Sequence, residues 1–154
     1  MGYRNYEGYS DPTAGMAVSL AMKDYRNKQK EKWRQEDEIR SRPKVYIASK
    51  YKGNIPVNTG NAVLACRFAV KRGCMPVASH LLYPGILDDG DPEERLIGTM
   101  FGLEMLGWCD EVWVITEDKE HKAVSEGMER EIREAMKLKK PVKYFSLQEV
   151  KHGI

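Results

Sequence analysis

The feature that most constrains the fold is a regular alternation of short apolar runs with longer helical segments, which begins at Lys44. The runs are rich in valine, isoleucine and aromatic residues, as buried strands are. The segments between them are long enough to hold a helix, and connections of this kind join parallel strands by right-handed crossovers. The alternation therefore predicts an α/β fold, a Rossmann-like (flavodoxin-like) three-layer sandwich with a parallel sheet of four or five strands.

The elements can be placed along the chain from periodicity and from helix start and stop signals. The predicted strands cover residues 45–49, 75–80, 111–116 and 141–145, and the predicted helices cover 58–72, 92–108 and 126–139. In such a sheet, ligands bind beyond the carboxyl ends of the strands. The loops that follow the first three strands are therefore the segments in which a site is expected.

Residues 1–42 differ from the rest and are predicted to form an N-terminal extension, turn-rich at first and then helical, ahead of a domain over 43–154. The helical part has strong helix formers but no continuous apolar stripe, so we expect it to be frayed or docked against another surface, such as a second subunit. The boundary is placed at Arg42 because the residue before a proline is biased away from the helical region.

Composition excludes several classes of partner and location. The chain has 154 residues, 42% of them hydrophobic and 31% charged, and its net charge of +2 is too small to indicate nucleic acid as a partner. No apolar run approaches the roughly 20 residues of a membrane span, and the polar N-terminus is unlike a signal peptide, so a cytoplasmic protein without membrane contact is expected. The three cysteines lack the CxxC spacing of zinc and redox sites and are interpreted as buried, reduced thiols, with no metal site predicted.

One glutamate stands where the apolar face of a helix is expected, in the segment SEGMEREIREA at 125–135. Counting about 100° per residue, Glu131 falls within an apolar face whose members are Met128, Ile132, Ala135, Met136 and Leu138. A carboxylate that faces a packed surface must find hydrogen-bond donors or shift its pKa. Glu131 is therefore a candidate site residue, and a solvated helix residue is the alternative.

Ser125 and Gly127 lie at the start of the same helix. A serine N-cap, with a glycine that lets a ligand approach the free amides, forms an anion site suited to phosphate. An ordinary serine cap with an entry glycine is the alternative interpretation. Glu126 adds a negative charge beside any phosphate, which would weaken phosphate binding by like-charge repulsion.

Three motifs together resemble the nucleoside 2-deoxyribosyltransferase superfamily. The string S-x-G-x-x-x-E-I-x-x-A at 125–135 is similar to its site helix, KVYIASKYKG to its first strand and glycine-containing loop, and LGWCDEVWVIT to its third strand. The resemblance is greatest to the deoxynucleoside 5′-monophosphate N-glycosidase branch, and related domains of unknown function share the H-L-L-x-P loop. It covers about residues 44–145.

The resemblance implies cleavage or transfer at the N-glycosidic bond of a (deoxy)nucleoside or its 5′-monophosphate, by double displacement and without a metal or organic cofactor. Glu131 would be the nucleophile, and the hydroxyl of Tyr46 would orient it. The small-molecule substrate would be held through ligand contacts at Ser49, Gly53, Ser125 and Gly127. The charge of Glu126 favours a nucleoside, or another glycosylated nucleotide, over the monophosphate. Members of the superfamily commonly form dimers or larger assemblies, so a homo-oligomer is expected.

The long loop after the second strand supplies further candidate ligand contacts, which are His80, Asp88, Asp89 and Arg95. They could contact a base or ribose, although a histidine that ends a strand can also be a satisfied structural group. In the superfamily an aspartate protonates or hydrogen-bonds the leaving base, and its position aligns with Gly102. Glu104, Asp88 or Asp89 would have to substitute for it.

Three function hypotheses remain open on these grounds. The chain is an enzyme with Glu131 as nucleophile, or it is a non-catalytic module of the same fold that binds or senses a nucleotide-like ligand. Glycine at position 102 favours the module, whereas the combination of Tyr46, Ser125 and Glu131 favours the enzyme. A structural partner protein that acts through its N-terminal helix is the weakest of the three.

Overall fold

The structure is a computed structural model that describes Arg4 and residues 6–154, so part of the predicted turn-rich N-terminus lies outside the described residues. The chain divides into two compact units, Met1–Ser41 and Arg42–Ile154, which are described separately. Within the described residues, none of the helices combines the length and the apolar character needed to cross a membrane.

The first unit consists mainly of one long helix, α1 (Pro12–Arg40). It begins earlier than the composition suggested because Asp11 caps it, accepting a hydrogen bond from the Ala14 amide at 2.9 Å, and Pro12 occupies its first turn. None of its residues is buried. Ion pairs between neighbouring turns support its surface, such as Lys28 with Asp24 at 2.8 Å.

The second unit contains four strands that alternate with three α-helices, as predicted, and a short fourth α-helix follows the last strand. They are β1 (Lys44–Ala48), α2 (Ile55–Lys71), β2 (Met75–Val77), α3 (Pro92–Gly107), β3 (Glu111–Thr116), α4 (Glu126–Lys137), β4 (Val142–Ser146) and α5 (Leu147–His152). All strand pairs are parallel, in the order β2-β1-β3-β4. The prediction of an α/β sandwich with a parallel sheet is confirmed, and the sheet has four strands.

The two central strands are buried on both faces, which explains their continuous apolar sequences. One face packs against α2 and α5 in a cluster that includes Val45, Ile47, Phe68, Trp113, Ile115 and Val150. The other face packs against α3 and α4 in a cluster that includes Tyr46, Ala48, Leu106, Val112, Val114, Met128 and Ala135. Neighbouring residues of a strand thus belong to different layers, as the pleat requires.

Three details of the predicted elements are wrong. The second strand ends at Val77, where its pairing with β1 stops, and residues 79–81 form a 3-10 turn in place of the predicted strand end. On α4 the predicted apolar face is narrower than expected, since Met136 is 67% exposed and Leu138 is 43% exposed. Helix α2 begins at Ile55 because the side chain of Asn54 caps it.

The strand order places a topological switch point between β1 and β3. The chain leaves β1 to form β2 on one side and then crosses back to form β3 on the other. Ligand sites of open α/β sheets lie at such points, outside the carboxyl ends of the strands. The loops after β1, β2 and β3 all begin at this edge.

Truncation of the core ring of Phe68 tests the packing of the sheet on α2. Phe68 is 1% exposed, and its ring meets Trp113 edge-on at 5.8 Å and Phe145 at 5.1 Å. We expect Phe68→Ala to lower the free energy of unfolding by about 3–5 kcal/mol in urea denaturation. Val63→Ala on the same helix is the control: Val63 is 52% exposed, so a change of under about 0.5 kcal/mol is expected. Equal losses in the two variants would contradict this packing.

Candidate active site

A cavity of about 570 Å³ opens at the carboxyl edge of the sheet, within the second unit. Its walls come from the loops after β1 and β2, from α3, and from the first turns of α4. Cavities of this size, with a few convergent polar groups among apolar walls, are typical of small-molecule sites. The cavity therefore lies at the topological switch point that the strand order defines.

Glu131 lines this cavity from the buried face of α4. Its side chain is buried because it takes the position of a core residue between Met128 and Ala135, one turn away on either side. Its Oε1 atom accepts a hydrogen bond of 2.6 Å from the hydroxyl of Tyr46. Its Oε2 atom is buried and accepts none from the described residues.

Tyr46 carries this hydrogen bond from the central strand β1. Its side chain is fully buried, and its hydroxyl lies 2.8 Å from Oγ of Ser79, so the three side chains form a chain of hydrogen bonds. A phenol has one proton, which Tyr46 donates to Glu131, and the bond from Ser79 therefore donates to the phenol oxygen. Burial, followed by the charge of Glu131, raises the pKa of Tyr46 well above its ordinary value, which keeps the phenol protonated.

Burial raises the pKa of Glu131 from 4.5 to about 8, and the hydrogen bond from Tyr46 offsets only part of that shift. The carboxyl group is thus largely protonated at neutral pH when the cavity holds no ligand. A group so displaced from its ordinary pKa in a cavity is a candidate for catalysis.

His80 approaches the same carboxyl group from the turn after β2. Its Nε2 lies 3.7 Å from Oε1 of Glu131, and its ring stacks on Tyr51 with centroids 5.5 Å apart and planes inclined by 10°. Burial lowers the pKa of His80, while the charge of Asp89 acts to raise it. With His80 neutral and Glu131 protonated, no charge acts between the two groups, so burial dominates both shifts.

Gly102 on α3 adjoins the hydrogen-bonded chain. A Cβ atom at this position would lie 3.1 Å from Oγ of Ser79 and 3.5 Å from the hydroxyl of Tyr46. Ser79 therefore occupies the space that an aspartate at this position would need. Of the proposed substitutes, Glu104 is exposed and away from the cavity, Asp88 is turned toward the Gly90 amide at 2.8 Å, and only Asp89 lines the cavity.

The N-terminus of α4 forms another part of the cavity wall. Ser125 caps it, accepting a hydrogen bond from the Met128 amide at 3.3 Å, as the serine-cap interpretation predicts. The amides of Glu126 and Gly127 have no hydrogen-bond partner among the described residues. Arg130 and Arg133 line the cavity one and two turns further along, together with the Glu126 carboxylate.

The cavity gathers most of the residues predicted as ligand contacts, namely Ser49, His80, Asp89, Arg95, Ser125 and Gly127. Gly53 and Asp88 do not line it. Gly53 instead turns the chain toward α2 with a φ of 104°, a conformation that favours glycine. Tyr46 reaches the site through Glu131.

Sequence reasoning missed Tyr51, Lys52, Ser79, Arg130 and Arg133, all of which line the cavity. Tyr51 and Lys52 follow β1 at the carboxyl edge, and that position was a signal that could have identified them. The two arginines gave a weaker signal, because a basic residue on a charged helix usually points to solvent.

Two unpartnered polar atoms make this cavity a candidate ligand site. In the part of the chain that the structure describes, the buried side-chain polar atoms without a hydrogen-bond partner are Oγ of Ser49 and Oε2 of Glu131, and both residues line the cavity. Buried polar groups are rarely left unpaired, because each costs about 1–3 kcal/mol. The same described residues contain no group of three or more His, Cys, Asp or Glu side chains placed to hold a metal ion.

The buried carboxyl group of Glu131 predicts a specific dependence of stability on pH. The folded protein keeps the proton up to a pH of about 8, whereas a glutamate in the unfolded chain loses it near 4.5. The stabilising contribution of this proton is thus complete below pH 4.5 and is lost as pH rises through 8. Between these values we expect wild-type protein to lose roughly 2–5 kcal/mol relative to Glu131→Gln in urea denaturation.

Glu129→Gln is the matched control for that measurement, since Glu129 is exposed on the same helix. Its free energy of unfolding should follow the wild-type pH curve. Parallel pH curves for wild type and Glu131→Gln would show that the Glu131 pKa is not raised.

Comparisons with known proteins place the chain in a family. Residues 43–145 match the family described as Domain of unknown function (DUF7768). No curated protein matches the chain. Among solved structures, a 2-deoxyribosyltransferase from the psychrotolerant bacterium Bacillus psychrosaccharolyticus is similar in fold, with a TM-score of 0.54 and 22% identity over 67% of this chain and 72% of that one. Since the family match spans most of the sequence, the protein belongs to the family of Domain of unknown function DUF7768.

Proposed function

We propose that the protein cleaves the N-glycosidic bond of a (deoxy)nucleoside or nucleoside 5′-monophosphate, or transfers the sugar from that bond to a second base, with Glu131 as the nucleophile. The observation that carries this proposal is the state of the Glu131 carboxyl group: one oxygen is held at 2.6 Å by Tyr46 and the other is buried without a partner, at the wall of a cavity of about 570 Å³. The similarity in fold to a 2-deoxyribosyltransferase supports the same chemistry.

The reaction follows the logic of a retaining glycosidase. The ionised Glu131 attacks the anomeric carbon, the base departs, and water or a second base then releases the sugar from the enzyme. The Tyr46 hydroxyl fixes Oε1, which leaves Oε2 as the attacking atom. Because Tyr46 is itself held by Ser79, the carboxylate is oriented before substrate binds.

Within this proposal, the start of α4 is where a 5′-phosphate binds. The unpartnered amides of Glu126 and Gly127, the Ser125 hydroxyl and the positive end of a helix favour an anion there. Arg130 and Arg133 line the same wall and outweigh the single negative charge of Glu126. These cations favour a nucleoside 5′-monophosphate, as the N-glycosidase branch uses, over an uncharged nucleoside.

A binding or sensing module is the second candidate function, and two observations favour it. A largely protonated Glu131 donates a hydrogen bond at neutral pH and is a poor nucleophile in that state. Gly102 also provides no acid for a departing base. Release of base separates the two candidates.

Base release from a panel of ribo- and deoxynucleosides and their 5′-monophosphates, followed by chromatography, tests the proposal. Wild type should release base from at least one member. Glu131→Gln should lose on the order of 10³-fold or more of that activity, since the nucleophile is gone. Tyr46→Phe should lose about 10- to 100-fold, because one orienting hydrogen bond is removed.

Glu129→Gln serves as the control because that side chain is exposed on α4 and should leave the rate unchanged. Binding of a panel member in calorimetry, with no base released from any member, would replace the enzyme with the binding module. Full activity in Glu131→Gln would exclude this glutamate as the nucleophile.

The phosphate subsite can be tested separately with the double variant Arg130→Gln/Arg133→Gln. Loss of charge-assisted hydrogen bonds should raise KM for the monophosphate by about 10- to 100-fold and leave KM for the corresponding nucleoside nearly unchanged. Arg67→Gln, an exposed arginine of α2 outside the cavity, is the control. An equal effect on both substrates would show that these arginines do not bind phosphate.

A further inference from the structure

We propose that His80 carries the proton of this site: it takes the proton that Glu131 must lose to become a nucleophile, and it delivers that proton to the departing base. This inference rests on the proposed function and supplies the acid that the site otherwise lacks. It gives a chemical role to a histidine for which the superfamily resemblance offers none.

The geometry places His80 within reach of both proton transfers. Nε2 of His80 lies 3.7 Å from Oε1 of Glu131, so a shift of under about 1 Å forms a hydrogen bond. The imidazole also lines the cavity, and its ring is held against Tyr51. The ring therefore lies beside both the nucleophile and the space in which substrate would bind.

The other acidic groups near the site are less well placed. Asp89 lines the cavity, but its carboxylate is already engaged in an ion pair, with Oδ1 3.5 Å from Nε of Arg95. Glu94 also lines the cavity and is turned toward the Asp88 amide. No acid can be accommodated at Gly102 without displacing Ser79.

The charged and titratable groups that face His80 and Glu131 come from each surrounding element. Strand β1 contributes Tyr46, and the loop after it contributes Tyr51 and Lys52. The loop after β2 contributes Asp89, and α3 contributes Glu94 and Arg95. Helix α4 contributes Glu126, Arg130 and Arg133. Asp89 favours the imidazolium, and the hydrogen bond from Tyr46 favours the Glu131 carboxylate. Transfer of the proton from Glu131 to His80 is thus supported by one neighbour of each group.

The proton balance closes over one turnover. The proton moves from the Glu131 carboxyl to Nε2 of His80, Oε2 bonds to the anomeric carbon, and the carbon–nitrogen bond breaks with its electron pair going to the base. The imidazolium protonates the base. Water then attacks the glycosyl ester and gives its proton to the neutral imidazole, and that proton returns to Glu131 as the carboxylate leaves.

Proton coupling can be measured without substrate, by following the imidazole resonances of the three histidines in NMR between pH 5 and 10, with the His80 signal assigned by its loss in His80→Gln. In wild type, the His80 signal should show a second inflection near pH 8, where Glu131 ionises. In Glu131→Gln that inflection should vanish. A His80 curve that is the same in both proteins would overturn the proposal.

Delivery of the proton can be measured with two leaving groups. An ordinary purine deoxynucleotide needs a proton on its base, whereas a 4-nitrophenyl 2-deoxyriboside 5′-phosphate analogue releases 4-nitrophenolate, which leaves without one. At pH 8, close to the Glu131 pKa, about half of the sites still hold the proton and about half of the glutamates are ionised, so His80→Gln should lose about 100-fold in kcat with the ordinary substrate and less than about 5-fold with the analogue. His152→Gln, an exposed histidine at the end of α5, should behave as wild type.

An equal loss with both substrates would make His80 a structural residue and overturn its role as the acid. Absence of base release from every substrate in wild type would instead defeat the proposed function. The NMR coupling between His80 and Glu131 would still be observed in that case, so the two failures are distinguishable.

Discussion

The hydrogen bond from the buried hydroxyl of Tyr46 to Glu131 joins the centre of the sheet to α4, and the arrangement of the site depends on it. A carboxyl group inside a packed layer is costly unless a donor meets it. Tyr46 supplies that donor from a strand that is buried on both faces, where its own position is fixed by the core. The sheet thus holds Oε1 of Glu131 in a fixed position through Tyr46.

The same burial creates the chemical difficulty of the site. Desolvation raises the pKa of Glu131 to about 8, so the group that we propose as the nucleophile holds a proton at neutral pH. His80, whose Nε2 lies 3.7 Å from Oε1 of Glu131, is the group that we propose to accept this proton. Burial lowers the pKa of His80, and this keeps the ring free to accept a proton. The opposite shifts of the two groups therefore suit a shared proton.

Gly102 and Ser79 show how close packing beside Tyr46 shapes the site. Ser79 fills the space beside Tyr46 that a side chain on α3 would otherwise take, and it completes the hydrogen bonding of the phenol. A Cβ atom at position 102 would lie 3.1 Å from Oγ of Ser79, so a side chain there would require Ser79 to shift by a few tenths of an ångström. Glycine at this position fits the close packing of Ser79 and provides no acid of its own.

Sequence by itself determined the order of strands and helices, the parallel sheet and the placement of Glu131 on the buried face of α4, because periodicity and capping are local properties. The serine cap at Ser125 was predictable for the same reason. Only the tertiary structure decided that β2 ends at Val77, that His80 then turns toward Glu131, and that Arg130 and Arg133 face a cavity. These outcomes depend on which elements meet at the switch point, and distances between residues far apart in the chain are set by packing, which no local pattern encodes.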